Sequence, residues 1–491
     1  MADNTVQAAS EYQNARLTHL TNLFAKRFAR STWLLCLLVA TAVPMAIAQP
    51  SASGSPPEPV GAAVDRATPF SVAARHQVAE ALAKALEKGY AHEDIGKQMA
   101  QAIRAKIKAR AYDRIASREE FAQALQADVR AIANDKHFRV LAQAGPGMMG
   151  PPPGAGGPPP DMIAQMRKEN GAISRLQILP GNIGYMEVNG VPFKDAAKDA
   201  IAAAFAFLHN TDALIIDVRA NGGGDPETVA WYMSYLSEGA SYTVNVFHDR
   251  DGSVEKTRTT HLGDLSYGAR KPVYCLISPN TFSGGEELAY DIQAYKRGQL
   301  VGEVTGGGAN PVEPQPLVHG FSALIPYGYV VHPVTGTNWE GIGVKPDVAV
   351  PADQALLEAQ RLALQRLSGD ATAAEERAAF QVLLLDLQSR AKQQSAGVSQ
   401  PNRLTHAQVT GSYGRSGADG RPMPSVLEKD GRLYLRHPAS GTSIQLIPLG
   451  ADRYRQAGVP DDFTVTFREM GGKIQMLRNS SGSPHWADKV Q

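Results

Sequence analysis

Two short runs, Ala213-Leu-Ile-Ile-Asp-Val218 and Pro272-Val-Tyr-Cys-Leu-Ile277, constrain this chain more than any other feature. Both are apolar at consecutive rather than alternate positions, the mark of a strand with both faces covered. Ile183–Val188 reads as a further strand, and Leu300–Glu303 starts another. Helical patterns fall between them. Lys194–Leu208 is an Ala-rich helix, Pro226–Leu236 opens with Pro in its first turn, and Gly284–Lys296 follows a glycine pair. This βαβα order predicts an α/β layered core over residues 177–352.

The flanks read differently. Val78, Leu82 and Leu86, then Met99, Ile103 and Ile107, recur at helical spacing. Ser117 and Glu120 form a capping box ahead of Phe121, Leu125 and Val129. Residues 66–144 are therefore expected to be an N-terminal helical bundle. Residues 145–176 read as a Pro/Gly-rich loop, since the stretch from Gly145 to Pro160 cannot pack. Residues 353–399 return to helical periodicity. From 400 to 491 short strands alternate with turns such as Lys429-Asp-Gly-Arg and Met470-Gly-Gly, predicting a small antiparallel sheet or barrel.

The first 48 residues read as a secretory signal: Lys26, Arg27 and Arg30 precede an apolar stretch from Trp33 to Val43, then Ala46-Ile-Ala48. The alternative is an uncleaved N-terminal anchor, although the run is shorter than the ~20 residues a span needs. Residues 49–65 are a Pro/Ser/Gly tether. Export, to a periplasmic or extracellular place, is the expectation, with no membrane span beyond the leader. Lys and Arg number 49 against 48 Asp and Glu, so there is no basic footprint for nucleic acid. Two cysteines exclude a disulfide framework, and Cys275 in its strand is expected to be a buried hydrophobe. No phosphate loop and no His-Glu-x-x-His motif is present, so neither cofactor nor metal is expected.

Two strand-to-helix junctions carry chemistry. In Asp217-Val-Arg-Ala-Asn-Gly-Gly-Gly-Asp-Pro226 three glycines expose backbone N–H groups before a helix, where they can receive an oxyanion or simply make a tight connection. In Ser278-Pro-Asn-Thr-Phe-Ser-Gly-Gly-Glu-Glu287, Ser283 begins a helix. With Glu286 it matches a capping box, so it can be merely an N-cap. A cap does not need Gly284 and Gly285, however, which are poor helix formers. A serine there, beside the Gly284 N–H, suits nucleophilic attack with oxyanion stabilisation. Its base must be a His or Lys brought in by the fold, and spacing alone does not choose one.

Five ordered segments resemble the tail-specific (C-terminal processing) serine peptidase family, in particular its interphotoreceptor retinoid-binding protein-like and tricorn-like branch. They are Gly181-Asn-Ile-Gly-Tyr, Ile215-Ile-Asp-Val-Arg-Ala-Asn-Gly-Gly-Gly, Thr281-Phe-Ser-Gly-Gly-Glu-Glu, Val301-Gly-Glu-Val-Thr-Gly-Gly-Gly-Ala and Thr337-Asn-Trp-Glu-Gly-Ile-Gly-Val-Lys-Pro-Asp. Asp135-Lys-His-Phe resembles the front of that branch, and the C-terminal strands lie outside it. The resemblance implies a ClpP/crotonase-like core and a serine peptidase acting on peptide or protein substrates. It implies Ser283 as nucleophile, with Gly284 and Gly222, Gly223 and Gly224 around the oxyanion. The processing branch's lysine is replaced by Gly308, so the implied base is His137, with Glu340 as its acidic helper. Lys136 stands where the tricorn pattern has serine, and no room is left for a PDZ module. The retinoid-binding relatives imply the alternative, a non-catalytic binder of apolar ligands on the same fold.

Overall fold

The computed structural model describes residues 70–142, 158–395, 402–414, 424–436, 441–459, 463–478 and 486–490. The signal and tether expected before residue 66, and most of the Pro/Gly stretch, lie outside the described residues. Three helices lead: α1 (Val72–Gly89), α2 (Glu93–Lys108) and α3 (Arg118–Arg130). Ser117 caps the start of α3, its hydroxyl accepting from Glu120 N at 3.1 Å, which is the N-cap half of the capping box read there. Strand β1 (Arg139–Leu141), helix α4 (Pro160–Arg167) and strands β2 (Ile173–Leu179) and β3 (Ile183–Val188) follow.

The core then runs α5 (Lys194–Leu208), β4 (Ala213–Asp217), α6 (Pro226–Tyr235), β5 (Thr243–Asp249), β6 (Val254–Arg258), β7 (Val273–Ile277), α7 (Gly284–Ala294) and β8 (Gln299–Gly302). Strands β9 (Val312–Pro316), β10 (Ser322–Pro326), β11 (Gly328–Val331) and β12 (Val348–Ala349) complete it, before helices α8 (Ala355–Asp370) and α9 (Ala374–Ser395). The central sheet has strand order β12-β8-β7-β4-β3-β2, parallel except where β2 runs against β3.

The double-sided burial expected of the apolar runs is what this sheet needs. Leu214, Ile216, Val273, Cys275 and Ile277 join the core beneath α5, α6 and α7. Ala213, Ile215, Tyr274 and Leu276 point the other way, into the core covered by α8 and α9. Cys275 is fully buried, and burial raises its thiol pKa, so it is inert packing.

The N-terminal helices do not close a core alone. Phe321, Ala323 and Ile325, on or beside β10, complete the apolar cluster of α1–α3. Strand β1 pairs antiparallel with β10, Val140 opposite Ala323, which fastens the segment just after His137 to the α/β body. A C-terminal strand set between Gly411 and Lys489 forms a closed eight-stranded antiparallel barrel, and Asn280 Nδ2 reaches its Ala457 carbonyl at 3.4 Å. Among the described residues no helix is long and apolar enough to cross a membrane.

Where β4 ends, a buried ion pair launches the first glycine loop. Arg219 Nη2 lies 2.7 Å from Asp217 Oδ2, with the two side chains 2% and 0% exposed. Arg219 Nη1 also donates to the Ala352 carbonyl at 2.7 Å, and Tyr185 donates to Asp217 at 2.7 Å. Removing one partner strands the other charge in the interior. Arg219→Met should therefore cost about 3–5 kcal/mol in chemical denaturation. A loss under about 1 kcal/mol, the range of exposed pairs, would contradict this reading.

Candidate active site

Four chain segments converge beside the N-terminus of α7, and hydrogen bonds fasten them pairwise. Phe282 N donates to the Asn221 carbonyl at 2.9 Å, and the Thr281 hydroxyl to the Val218 carbonyl at 2.8 Å. These bonds join the loops after β4 and β7. Gly306 N donates to the Thr281 carbonyl at 3.0 Å, adding the loop after β8. Glu286, buried in the first turn of α7, accepts from Ser283 N at 2.9 Å, the Thr305 hydroxyl at 2.5 Å, Gly307 N at 2.6 Å and Gly308 N at 2.8 Å. Burial pushes its carboxyl up to about 7 against the pull of those donors.

Ser283 does not have an ordinary N-cap backbone. Caps sit in the β region, whereas Ser283 has φ 54° and ψ −124°. For a residue with a Cβ this costs about 1–3 kcal/mol, a strain that a capping role alone does not call for. The close approach of the two loops leaves no room for a side chain at Gly223, Gly224 or Gly284. A Cβ on Gly223 (φ 102°) would stand 2.5 Å from Ser283 Cβ, and one on Gly284 would stand 3.0 Å from the Gly224 nitrogen. The Gly223 N–H is taken by Asn221 Oδ1 at 2.8 Å. Among the described residues the N–H groups of Gly224 and Gly284 have no intramolecular acceptor. Gly224, Gly284 and Ser283 line one cavity of about 830 Å³, whereas Gly222 lines a neighbouring one.

His137 lines the same cavity as Ser283. Its ring lies 4.7 Å, centroid to centroid, from that of Phe282, the residue before the serine. Burial, with the Arg139 charge in support, lowers its pKa to about 4, so the imidazole is neutral at pH 7. Its Nδ1 is enclosed without a hydrogen-bond partner. No hydrogen bond joins Ser283 to His137 among the described residues. Catalytic bonds of this kind often tighten only with substrate bound.

Two carboxylates hold the histidine segment from behind. Glu340 accepts from Lys136 N at 3.1 Å, Ala309 N at 2.6 Å and Asn310 N at 3.0 Å. Asp135 accepts from His137 N at 3.0 Å, Asn310 Nδ2 at 2.9 Å and the Tyr90 hydroxyl at 3.3 Å. Burial raises both carboxyls, and Asp135 adds to the rise at Glu340. One atom from each of Asp135, His137 and Glu340 lies within 4.8 Å of the others, the group among the described residues with metal-ligand spacing. Its carboxylate oxygens are already occupied by N–H and O–H donors, a set suited to holding polypeptide. Glu340 thus stands near the imidazole, while its hydrogen bonds go to the backbone around it.

Gly308 shows why lysine is missing. A Cβ there would stand 2.4 Å from Phe282 Cζ and 2.8 Å from His137 Cε1. The imidazole and the Phe282 ring occupy the space that a side chain at 308 would need.

Residues 182–350 match the model of peptidase family S41, and residues 71–175 match the N-terminal domain of peptidase S41 in eukaryotic IRBP. This chain belongs to peptidase family S41. The S41 chain is 27% identical over 197 residues to carboxyl-terminal-processing peptidase 2, chloroplastic, of Arabidopsis thaliana, covering 37% of itself and 36% of that protein. It therefore spans about a third of that curated relative's length. Among solved structures it is similar to a photosystem II D1 C-terminal processing protease, at 16% identity and a TM-score of 0.36, covering 56% of this chain and 92% of that one. It is also similar to a lipoprotein from Streptococcus agalactiae, at 16% identity and a TM-score of 0.39, covering 60% and 96%.

Sequence reasoning passed over Asn221, Asp135 and Trp339, and read Glu286 only as a cap. Asn221 carried the one visible hint, sitting directly before the three glycines. Asp135 and Trp339 act through partners far away in sequence; Trp339 Nε1 donates to the Gly308 carbonyl at 2.9 Å. Glu286→Gln turns an NH2 group towards N–H donors. It should destabilise the protein by about 1–3 kcal/mol in urea unfolding. Unchanged stability would mean that the 305–308 loop is not held by this carboxylate.

Proposed function

We propose that this S41 member is a serine peptidase in which Ser283 is the nucleophile and His137 its base. The observation that carries this reading is the shared cavity, which joins a strained serine, a neutral imidazole and two unbonded N–H groups. His137 takes the Ser283 proton as the hydroxyl attacks a peptide carbonyl, and later returns it to the leaving amine. The Gly284 and Gly224 N–H groups receive the developing oxyanion. Glu340 and Asp135 act as positioning residues, fixing the backbone on either side of the imidazole.

The second reading, an apolar-ligand carrier, finds support in the Val191, Phe193, Phe247 and Trp339 walls. Glu227, Asp249 and Glu255 line the same cavity, beside Asp225 and Glu287 whose carboxyls burial shifts towards the neutral form, and Lys256 is its one lysine or arginine among the described residues. That charge disfavours a neutral apolar ligand and favours a peptide bearing Lys or Arg side chains. Exported proteins or peptides as substrates rest on the leader pattern ending at Ala48, which lies outside the described residues.

Cleavage of a peptide library should be abolished by Ser283→Ala with the far-UV circular dichroism unchanged, and reduced at least ~10²-fold by His137→Ala. Activity that persists in folded Ser283→Ala protein would remove the proposal. Because the base is neutral down to about pH 4, kcat/KM should hold from pH 7 to pH 5 and fall only near the His137 value. An acid limb centred near 6.5, the ordinary histidine value, would show that the imidazole is not buried as described.

A further inference from the structure

A second cavity, of about 770 Å³, lies on the other side of the Gly222 and Phe282 loops. The core and the C-terminal barrel both line it. From the N-terminal segment spanning α3 and β1 come Arg130, Lys136 and Arg139, and from the barrel Gln456 and Arg478. Four cationic side chains thus meet in one space, and among the described residues no carboxylate lines it.

The charges are not solvated at leisure. Burial lowers the guanidinium pKa of Arg130 and Arg478, and burial together with the Arg130 charge lowers Arg139 to about 10. Three of the lining residues also carry a buried nitrogen donor with no acceptor: Arg130 Nε, Arg478 Nε and Gln456 Nε2. Gln456 is only 3% exposed, so water does not substitute freely for the missing acceptor. A buried donor without a partner is unfavourable, and like charges held together add to that cost. Both costs are relieved by one kind of occupant, a small ligand with several anionic oxygens. Guanidinium groups recognise such oxygens by charge-assisted hydrogen bonds.

We propose that this cavity binds a small polyanion of the phosphate or polycarboxylate class, held between the α/β core and the barrel. The size of the cavity suits a small molecule, and the residues that line it come from parts of the chain more than three hundred positions apart. The ligand would therefore tie the barrel to the core. This inference does not depend on the peptidase reading.

The test is isothermal titration of the full chain with inorganic phosphate and, separately, with citrate, at ionic strength fixed by sodium chloride. Acetate is the single-charge control. Saturable binding of phosphate or citrate that acetate does not match is expected, together with a rise in the thermal midpoint. Whichever of the two binds more tightly identifies the ligand class. Arg478→Met should weaken that binding at least tenfold, and Gln456→Leu should weaken it independently, both leaving unliganded stability near wild type. If neither anion binds in saturable fashion, or if both variants bind as wild type does, the proposal fails. Equal heats from acetate and phosphate would reduce the site to non-specific screening and also overturn it.

Discussion

The site depends on a pair of carboxylates that bind backbone, Asp135 buried and Glu340 half-buried. His137, the proposed base, comes from a short segment between α3 and β1, outside the central layers, so it has to be fastened to the α/β core. Asp135 and Glu340 supply the hold, accepting N–H groups from Lys136 and His137 on one side and from Ala309 and Asn310 on the other. The pairing of β1 with β10 adds a second fastening a few residues on. Together they convert a loop residue into a fixed wall of the cavity.

The same economy runs through the Ser283 side. Glu286 ties the start of α7 to the 305–308 loop, and that loop presents Gly308 to Phe282 and His137 at distances that exclude any side chain. The strained Ser283 backbone is over-determined by these contacts. Burial then leaves the imidazole uncharged and its Nδ1 without a partner. Each feature alone is ordinary. Their conjunction at one cavity, within a chain of peptidase family S41, is what gives them chemical meaning.

Much of the core was legible in the sequence because the signals were local. Ile183–Val188 and Lys194–Leu208 stand as the periodicity predicts, and β4, β7, α6 and α7 differ from their expected ranges only at the ends. Double-sided burial leaves an apolar run, and a tight loop leaves glycines. The pairing of β1 with β10 left no such trace. It joins residues far apart in sequence, and the helical pattern of α1–α3 gives no sign that Phe321 and Ile325 complete their core. Ser283 was legible as a residue of interest but not as a strained one. Its backbone angles are set by Asn221 and Glu286 contacts that no spacing rule encodes. The cationic cavity was invisible for the same reason, since Arg139 and Arg478 come together only when the barrel meets the segment around β1.

The most direct measurement of this dependence is the rate at which a fluorophosphonate phosphonylates Ser283, with loss of fluoride, in wild type and in Asp135→Asn/Glu340→Gln protein. Cutting the carboxylate hold should slow phosphonylation by ~10²-fold or more, the contribution of a positioned base, while the α/β core stays folded. Phosphonylation of the double variant at the wild-type rate would contradict the claim that these two carboxylates make His137 the base.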